Sequence, residues 1–442
     1  MLDIVNSFCE ISHFPLPAFR LRSGDPACIL VTEILEKYKG DFGMDVHEMS
    51  LRLHGLVVLR GLLSDGVIEK YAAMLASASS GEEAFITSAA RFEATLFDTG
   101  RCWTDYLLDA VLENDNICIR RAASGGAPRA AEEALASELA FLQQAGCTGL
   151  DELLSGKPGL RTACSFLPRW ETHEADYTAA YAQRRREVGK KGYGMFARYH
   201  VFTVENGTLV PVHCPDPQRL SELPGYEAER AKVIANTKAL LAGLPANNVL
   251  LYGDAGTGKS STVKAIGNEF AAEGLRLVEV KKNQLYQIPA VMEALADNPL
   301  KFVLFIDDLS FSSNDDDFAA LKAILEGSVG GRSHNIAVYA TSNRRHLVKE
   351  RLSDREGDDI HAADTRQELM SLSARFGLTV TFQSPDKQRF ENILMELARQ
   401  YNVQMPSDQL FRKGEAFALR AGGRSPRVAK QFIELCKGGV PL

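Results

Sequence analysis

The chain has 442 residues, a length that allows roughly two to four domains. Hydrophobic residues make up 45% of it and charged residues 24%, the ordinary balance of a soluble globular protein. The formal net charge of -7 excludes a basic field over the whole molecule that would attract nucleic acid, although it leaves a local basic patch open. No apolar run is long enough to span a bilayer, so no membrane partner is expected.

The N-terminus and the cysteines predict a cytoplasmic protein. The first residues lack a basic region followed by an apolar stretch, so no secretory signal is indicated. The 8 cysteines are scattered and none forms a C-x-x-C pair, so their spacing does not favour a zinc or redox site. We interpret them as small, reduced, buried side chains.

The first part of the chain, up to about residue 194, is predicted to be mostly helical. Apolar residues recur at helical intervals in residues 65–77, 130–144 and 176–188. No fixed-period repeat is present, and the pattern leaves a bundle and a solenoid both open. A β-hairpin is predicted next, because two apolar segments flank Asn206 and Gly207, a pair suited to a tight turn with positive φ.

The second part of the chain alternates strands and helices after a proline-containing linker at residues 213–217. This alternation predicts an α/β fold with a parallel sheet. Five short apolar runs are predicted as strands buried on both faces: residues 248–252, 276–280, 301–306, 335–341 and 378–382. Three helices, predicted at residues 385–401, 407–421 and 425–436, would form a small C-terminal lid. The predicted domains are residues 1–195, 196–385 and 386–442.

The most informative stretch, residues 253–260, matches the P-loop pattern G-x-x-x-x-G-K-S. It follows a predicted strand and precedes a predicted helix, the context in which backbone N–H groups and a helix N-terminus bind phosphate. Lys259 is predicted to reach the β- and γ-phosphates of ATP, and Ser260 to hold Mg²⁺. The predicted nucleotide-binding residues here are Gly253, Asp254, Ala255, Gly256, Thr257, Gly258, Lys259, Ser260 and Ser261.

Polar side chains end the third and fourth predicted strands. Asp307 and Asp308 close the run at residues 302–306, where a P-loop enzyme needs an acid beside its metal. Asp307 is therefore predicted to join Ser260 in the Mg²⁺ shell, and Asp308 to orient or deprotonate the attacking water. Asn343 ends the next strand, in a position to lie between the acid and the γ-phosphate.

This order of motifs resembles the AAA+ ATPase superfamily. The resemblance implies that Asn343 is sensor 1 and that Arg427, at the start of a lid helix, is sensor 2. Arg375, within Ser373-Ala374-Arg375-Phe376-Gly377, corresponds to the arginine finger that acts on a neighbouring subunit's nucleotide, which implies a homo-oligomer assembled through that interface. The run at residues 220–227 resembles the segment that flanks adenine, and its Tyr226 is a predicted nucleotide contact.

A narrower resemblance, from residue 216 onward, is to the bacterial AAA+ group called domain of unknown function 815. The segments that resemble this group are Asn247–Gly253, Ile306–Phe311 and Tyr339–Leu347. Two features depart from the AAA+ pattern. The strand tip carries Asp-Asp in place of Asp-Glu, which affects the expected rate of turnover, and an acidic insert at residues 353–368 is predicted to be a solvated loop.

Several functions remain open at this stage. The first is ATP hydrolysis coupled to movement of the lid and acting on an unknown protein client; the second is a slow ATP-dependent switch or scaffold, favoured by the Asp-Asp pair. The third is a nucleic-acid accessory or loader protein, suggested by Arg344-Arg345 and by the basic run Arg184–Arg186. Tyr286 is the one tempting aromatic residue for a client-binding pore loop, and a core position is favoured for it.

Overall fold

The computed structural model describes residues 45–123, 125–309, 321, 325, 334–343 and 375–440. The chain divides into two compact units. The described part of the first comprises residues 45–56, 63–106 and 144–175. The second comprises the remaining described residues, which are those within 57–62, 107–143 and 176–440. The three-domain division at residues 195 and 385 stays a prediction. None of the described helices is both long enough and apolar enough to cross a membrane.

The regular secondary structure among the described residues of the first unit is all helical. An aromatic cluster of Tyr71, Phe92, Trp103 and Trp170 fills its core, with ring centroids 4.5–6.4 Å apart. Both indole N–H groups donate to backbone carbonyls, so neither buried Trp has an unpaired donor. Its helices are Val46–His54, Gly66–Ser77, Glu82–Phe97, Leu150–Leu153 and Pro158–Ala163, and Trp103–Glu113 and Arg129–Cys147 contribute residues to both units.

The second unit carries the sheet and further helices. The strands are β1 (Val201–Glu205), β2 (Thr208–Pro211), β3 (Val249–Gly253), β4 (Leu275–Val280), β5 (Lys301–Ile306), β6 (Ile336–Ser342) and β7 (Leu378–Phe382). Its α-helices are Ile117–Arg120, Tyr177–Arg186, Val188–Lys191, Met195–Arg198, Glu227–Leu241, Lys259–Glu269, Ile288–Leu295, Lys387–Gln400, Ser407–Arg420 and Pro426–Lys437. Short 3-10 helices lie at Arg60–Ser64, Leu220–Glu222, Ala271–Glu273 and Lys282–Gln287.

The sheet has the order β2-β1-β4-β5-β6-β3-β7. All neighbours pair in parallel except β1 and β2, which are antiparallel. The predicted α/β class with a parallel sheet is therefore confirmed. β3 lies between β6 and β7, so the loop after β3 and the tip of β6 emerge side by side at one edge of the sheet.

The predicted number of strands, five, was wrong, because the sheet has seven strands among the described residues. The additional two are the predicted hairpin, whose Asn206 and Gly207 both have positive φ, 51° and 78°. β1 pairs with the outer side of β4, from Val201 against Leu277 to Thr203 against Glu279. Phe202 and Val204 bury their side chains there, so the hairpin covers backbone groups of β4 that an open edge would expose.

Three helices follow β7 in the second unit, within two residues of the predicted lid helices. Asp386 and Ser425 cap the first and third of them by accepting the N–H groups of Arg389 and Val428. Leu394, Phe432 and Ile433 are fully buried where the three helices pack. The acidic insert at residues 353–368 and the Arg344-Arg345 pair lie outside the described residues.

Candidate functional site

The P-loop connects β3 to the helix Lys259–Glu269, as predicted. Gly253 has a φ of 135°, and a Cβ atom there would lie 2.0 Å from the carbonyl oxygen of Phe382 on β7. Only glycine lets the two backbones approach this closely. Gly256 and Gly258 also have positive φ, 77° and 92°, which turns the loop into the first turn of the helix.

Lys259 is 6% exposed and its ammonium group has three oxygen acceptors. Nζ donates to the carbonyls of Gly253 and Asp254, both at 2.8 Å, and to Asn343 Oδ1 at 3.0 Å. Burial lowers the pKa of Lys259, while the nearby carboxylates of Asp254, Asp307 and Asp308 act to raise it. All three acceptors are uncharged, so the buried cation has no directly bonded anion among them.

Asp307 joins the P-loop to the neighbouring strands. Its Oδ1 accepts the hydroxyl of Ser260 at 2.6 Å and that of Thr341, on β6, at 2.5 Å. The tips of β5 and β6 and the start of the P-loop helix thus converge on one carboxylate. Two oxygen donors of the kind that Mg²⁺ prefers, Ser260 Oγ and Asp307, lie side by side.

Asp308 has a left-handed backbone, with a φ of 51°. Its N–H donates to Thr341 Oγ1 at 2.9 Å, and its Oδ1 accepts the side-chain amide of Asn343 at 2.9 Å. A left-handed conformation costs a non-glycine residue roughly 1–2 kcal/mol. Here the conformation aims the carboxylate of Asp308 toward Asn343 and the P-loop.

These groups surround a cavity of about 1020 Å³. Ten of the predicted site residues line it: Ala255, Gly256, Gly258, Lys259, Ser260, Ser261, Asp307, Asp308, Asn343 and Arg427. Gly253, Asp254 and Thr257 shape the loop behind this lining. The Asp254 carboxylate accepts a hydrogen bond from the N–H of Ser384 at 2.6 Å, and this bond lowers the pKa of Asp254. Thr257 Oγ1 donates to the carbonyl of Asp254.

The lid contacts the P-loop directly through its third helix. The N–H of Arg427 donates to the carbonyl of Gly256 at 3.1 Å. A Cβ atom on Gly256 would lie 3.0 Å from Ser425 Oγ and 3.2 Å from Arg427 Cβ. Arg427 therefore borders the cavity from a helix whose first turn is bonded to the phosphate-binding loop.

Tyr226 does not line the cavity. Its ring is 1% exposed, lies 5.3 Å from Phe382 centroid to centroid and is covered by Arg389 at 4.9 Å. Its hydroxyl donates to the carbonyl of Gln383 at 2.5 Å, and burial raises its pKa to about 12. The neighbouring residues Leu223 and Pro224, from the same predicted adenine-flanking segment, border the cavity in its place.

Arg375 also lies away from the cavity of its own chain. It directly precedes Phe376, which is buried, and the start of β7. β7 runs parallel to β3, so this residue is at the edge of the sheet opposite the P-loop. A role for Arg375 on a neighbouring subunit is untested by this single chain and stays a prediction.

Two motifs that the sequence singled out lie outside the cavity. Tyr286 was expected to be a core residue, but it is 68% exposed in the 3-10 helix Lys282–Gln287, which follows β4. In the basic run, Arg185 forms a bidentate ion pair with Glu132 at 2.8 and 2.9 Å. The guanidinium of Arg184 is largely desolvated, which lowers its pKa. Much of that run is thus engaged in the fold.

Sequence reasoning did not single out several residues that border the cavity. Thr341 is hydrogen-bonded to both Asp307 and Asp308. In the sequence, its hydroxyl two residues before Asn343 could have indicated this role. The lid contributes Arg399, Gln400, Tyr401, Lys430 and Lys437, and Gln218 comes from just after the linker. Lys430 follows Arg427 by three residues on one helix, a spacing that places both on the same face and could have indicated it.

Comparison with known proteins gives one family and several solved structures. The model of the family described as "Protein of unknown function (DUF815)" matches residues 196–440, more than half of the chain. The RuvB Holliday junction branch migration motor of Thermotoga maritima is 18% identical, with 51% of this chain and 67% of that chain covered and a TM-score of 0.35. The FIGL-1 AAA domain in complex with ADP is 15% identical, with 50% and 73% covered and a TM-score of 0.36.

Proposed function

The chain belongs to the DUF815 family, and from the geometry of its site we propose that it is an AAA+ type ATPase that binds ATP with Mg²⁺ and hydrolyses it. The observation that carries this proposal is the convergence of Lys259, Ser260, Asp307, Asp308 and Arg427 on one cavity beside a P-loop. Each side chain has the chemistry that its predicted role requires.

The cation of Lys259 supports nucleotide binding. A buried ammonium held by three neutral oxygens is less stable than one with an anion beside it. Phosphate oxygens would replace these acceptors and supply the missing negative charge. The N–H groups at the start of the helix Lys259–Glu269 add the partial positive charge of a helix N-terminus.

Ser260 and Asp307 fit a Mg²⁺ site. Their oxygens are 2.6 Å apart in a hydrogen bond that a cation would replace, and both are hard oxygen ligands. Bound there, Mg²⁺ would neutralise charge that develops on the phosphates. Thr341 holds the same carboxylate from β6, so Asp307 is positioned before any ligand arrives.

Asp308 is the proposed base for the attacking water. Its carboxylate is held toward the cavity by Asn343, which also contacts Lys259. When phosphate oxygens displace Asn343 Oδ1 from Lys259, the second N–H of the amide becomes able to donate to the γ-phosphate while the first still orients Asp308. The side chain of Asp308 is one methylene shorter than the Glu usual in AAA+ enzymes, so the rate is expected to depend strongly on this orientation.

The third lid helix would transmit the nucleotide state. Arg427 borders the cavity, and its backbone N–H is bonded to Gly256 in the P-loop. Any shift of the P-loop on binding or hydrolysis therefore moves the start of this helix. We propose that the lid motion acts on a protein client, and that Arg375 completes the site of a neighbouring subunit in a homo-oligomer.

The experiment that tests this proposal measures ATP hydrolysis per chain across a range of protein concentrations. The wild type is compared with Lys259→Ala and Arg375→Ala. We expect a rate that rises with concentration, is lost in Lys259→Ala and falls by roughly 10³-fold or more in Arg375→Ala, the effect of an arginine finger. Normal hydrolysis by Lys259→Ala would refute the ATPase proposal.

Mixing inactive variants separates the action in trans from a local defect. Arg375→Ala has an intact P-loop, and Lys259→Ala has an intact finger, so a mixture regains part of the activity if the finger acts on a neighbour. Activity that stays absent in the mixture contradicts this role for Arg375. A flat, negligible rate with tight ATP binding supports the alternative of an ATP-dependent switch or scaffold.

The exposed ring of Tyr286 favours a second candidate function, in which this residue binds a protein client directly. Gln284 donates to the carbonyl of Val204, and Gln287 accepts the N–H of Gly207, so the hairpin anchors the turn that presents this ring. An exposed aromatic ring on an anchored turn is suited to packing against the side chains of an extended peptide. If so, Tyr286→Ala abolishes stimulation of hydrolysis by unfolded protein and leaves basal hydrolysis intact; equal stimulation contradicts this candidate.

A further inference from the structure

We propose that Cys102, Asp105 and His173, in the helical first unit, form a binding site for a zinc-class divalent cation. One ligand atom from each residue, Sγ, a carboxylate oxygen and a ring nitrogen, lies within 4.8 Å of the others. The three residues are remote from the P-loop cavity in sequence, and the ATPase proposal does not use them.

The first two ligands are set by a helix start. Cys102 precedes the helix Trp103–Glu113, and its carbonyl accepts the N–H of Tyr106 at 3.0 Å, which makes Cys102 the N-cap residue. Asp105 follows three residues later and so lies on the same side of the first turn. Its N–H is 3.4 Å from Cys102 Sγ, so the sulfur lies against the N-terminal end of the helix.

The third ligand arrives from a segment about 70 residues away and is held by buried contacts. Thr104 is fully buried, and its hydroxyl accepts the N–H of His173 at 3.0 Å while it donates to the carbonyl of Gly146 at 2.7 Å. One residue earlier, the N–H of Trp103 donates to the carbonyl of Glu171 at 3.1 Å. The backbones that carry the ligands are thus fixed relative to each other before a cation binds.

The ring of His173 has the surroundings typical of a metal ligand. Nδ1 lies 3.0 Å from the carbonyl oxygen of Glu174, and Nε2 lies 2.9 Å from Asp105 Oδ1. A carbonyl partner on one nitrogen keeps a proton there and directs the other nitrogen to the metal. A cation between Nε2 and Oδ1 would replace the proton that these atoms share.

The donor set selects the class of cation. A thiolate, an imidazole and a carboxylate together suit zinc, whereas Mg²⁺ and Ca²⁺ prefer oxygen ligands alone. The His173 and Asp105 side chains are 49% and 51% exposed, which leaves a fourth position open to water or to a side chain from a partner. A bound cation would join the helix start to the segment that carries His173, so it would stabilise this unit.

Cobalt(II) is the probe that tests the site, because it takes zinc positions and gives a thiolate-to-metal charge-transfer band when sulfur is a ligand. The full chain is stripped with a chelator and titrated with Co²⁺ without nucleotide, and then with Zn²⁺ in competition. We expect saturation of the band at about one equivalent per chain and its loss when Zn²⁺ is added. Co²⁺ at Ser260 and Asp307 gives no such band, so the P-loop does not interfere.

Variants identify the ligands. Cys102→Ser is expected to abolish the band. Asp105→Asn and His173→Gln should each weaken Co²⁺ binding by roughly 100-fold or more, which exceeds the usual effect of losing a residue that only hydrogen-bonds a metal ligand. Cys214→Ser and His47→Gln, at exposed positions elsewhere, are the matched controls and should bind as the wild type does. A band that persists in Cys102→Ser, or its absence in the wild type at excess metal, overturns the proposal.

A second measurement on the wild type removes any dependence on variants that fold poorly. Thiols are labelled with a maleimide with and without Zn²⁺, and the labelled positions are mapped by mass spectrometry. We expect Zn²⁺ to slow labelling of Cys102 and to leave that of Cys214 unchanged. Equal labelling of Cys102 in both conditions means that the three residues form only an ion-pair cluster.

Discussion

The side-chain amide of Asn343 donates a hydrogen bond to Asp308 Oδ1 over 2.9 Å. The oxygen of the same amide, Asn343 Oδ1, accepts a hydrogen bond from Lys259 Nζ over 3.0 Å. Lysine can only donate, so this second contact fixes which end of the amide faces the acid. The side chain of Asn343, the residue after β6, therefore links the cation of the P-loop to the proposed catalytic base.

This link predicts non-additive effects of two substitutions on hydrolysis. Asp308→Asn removes the base and should lower kcat by about 10²–10⁴-fold with little change in nucleotide affinity. Asn343→Ala removes the orientation of that base and should also lower kcat. Because part of the effect of Asn343 acts through this carboxylate, the loss in the double variant should be smaller than the product of the two single losses in a double-mutant cycle of kcat. Multiplied effects would mean that Asn343 acts independently of Asp308.

The burial of Lys259 predicts a pH dependence of nucleotide binding. Its pKa is lowered in the folded chain because it is buried, and bound phosphate would raise it again. Binding should therefore take up protons as the pH approaches that lowered pKa, and affinity should decline at a lower pH than an ordinary lysine would give. Calorimetry of ATP binding in two buffers of different ionisation enthalpy measures this uptake as the pH is raised toward the ordinary lysine pKa of 10.5.

Lys259→Arg is the control for that measurement. Arginine stays protonated throughout this range, so the variant should show weaker binding, because its shape differs, but no proton uptake. Proton uptake of the same size in the variant would assign the effect to another group.

The contact between the lid and the P-loop predicts different costs for two glycine substitutions. Gly256 and Gly258 both have positive φ, so alanine at either position should lose roughly 1–2 kcal/mol through backbone strain. A Cβ at Gly256 also presses on Ser425 and Arg427, whereas a Cβ at Gly258 meets no atom of the described residues within 4 Å. Gly256→Ala should therefore lose about 1–3 kcal/mol more of the free energy of unfolding. Urea unfolding without nucleotide compares the two, and equal losses would contradict a tight lid contact.

Glu93 predicts a pH-dependent stability of the first unit. Its carboxylate is 2% exposed, and burial raises its pKa from 4.5 to about 7. The folded state then holds this proton more tightly than the unfolded state does. Its contribution to stability is complete below about pH 4.5 and is lost as the pH rises through about 7, at a cost of roughly 3 kcal/mol by pH 8.

Glu93→Gln should remove this pH dependence and stabilise the unit at pH 8. Glu83→Gln, exposed on the same helix, is the matched control and should change little. The chain has only two tryptophans, Trp103 and Trp170, and both lie in this unit, so urea unfolding followed by fluorescence reports on it directly. A wild-type free energy of unfolding that rises between pH 5 and 8 would contradict the assignment.

The sequence alone was sufficient where local preferences and short spacing decide the structure. The P-loop glycines, the Asn206-Gly207 turn, the five parallel strands and the three lid helices lie where they were predicted, to within about two residues. In each case the residues that determine the conformation are close together in the chain: positive φ needs glycine or asparagine, a cap lies one residue before its helix, and a buried strand is a continuous apolar run.

Only the tertiary structure decided what depends on residues far apart in the chain. The pairing of the hairpin with β4, the burial of Tyr226, the exposure of Tyr286 and the meeting of Cys102 with His173 each depend on such contacts. Whether a given aromatic ring is covered, and which ligand atoms meet, depends on how distant segments pack. Packing depends on the whole fold, so no local sequence pattern determines it.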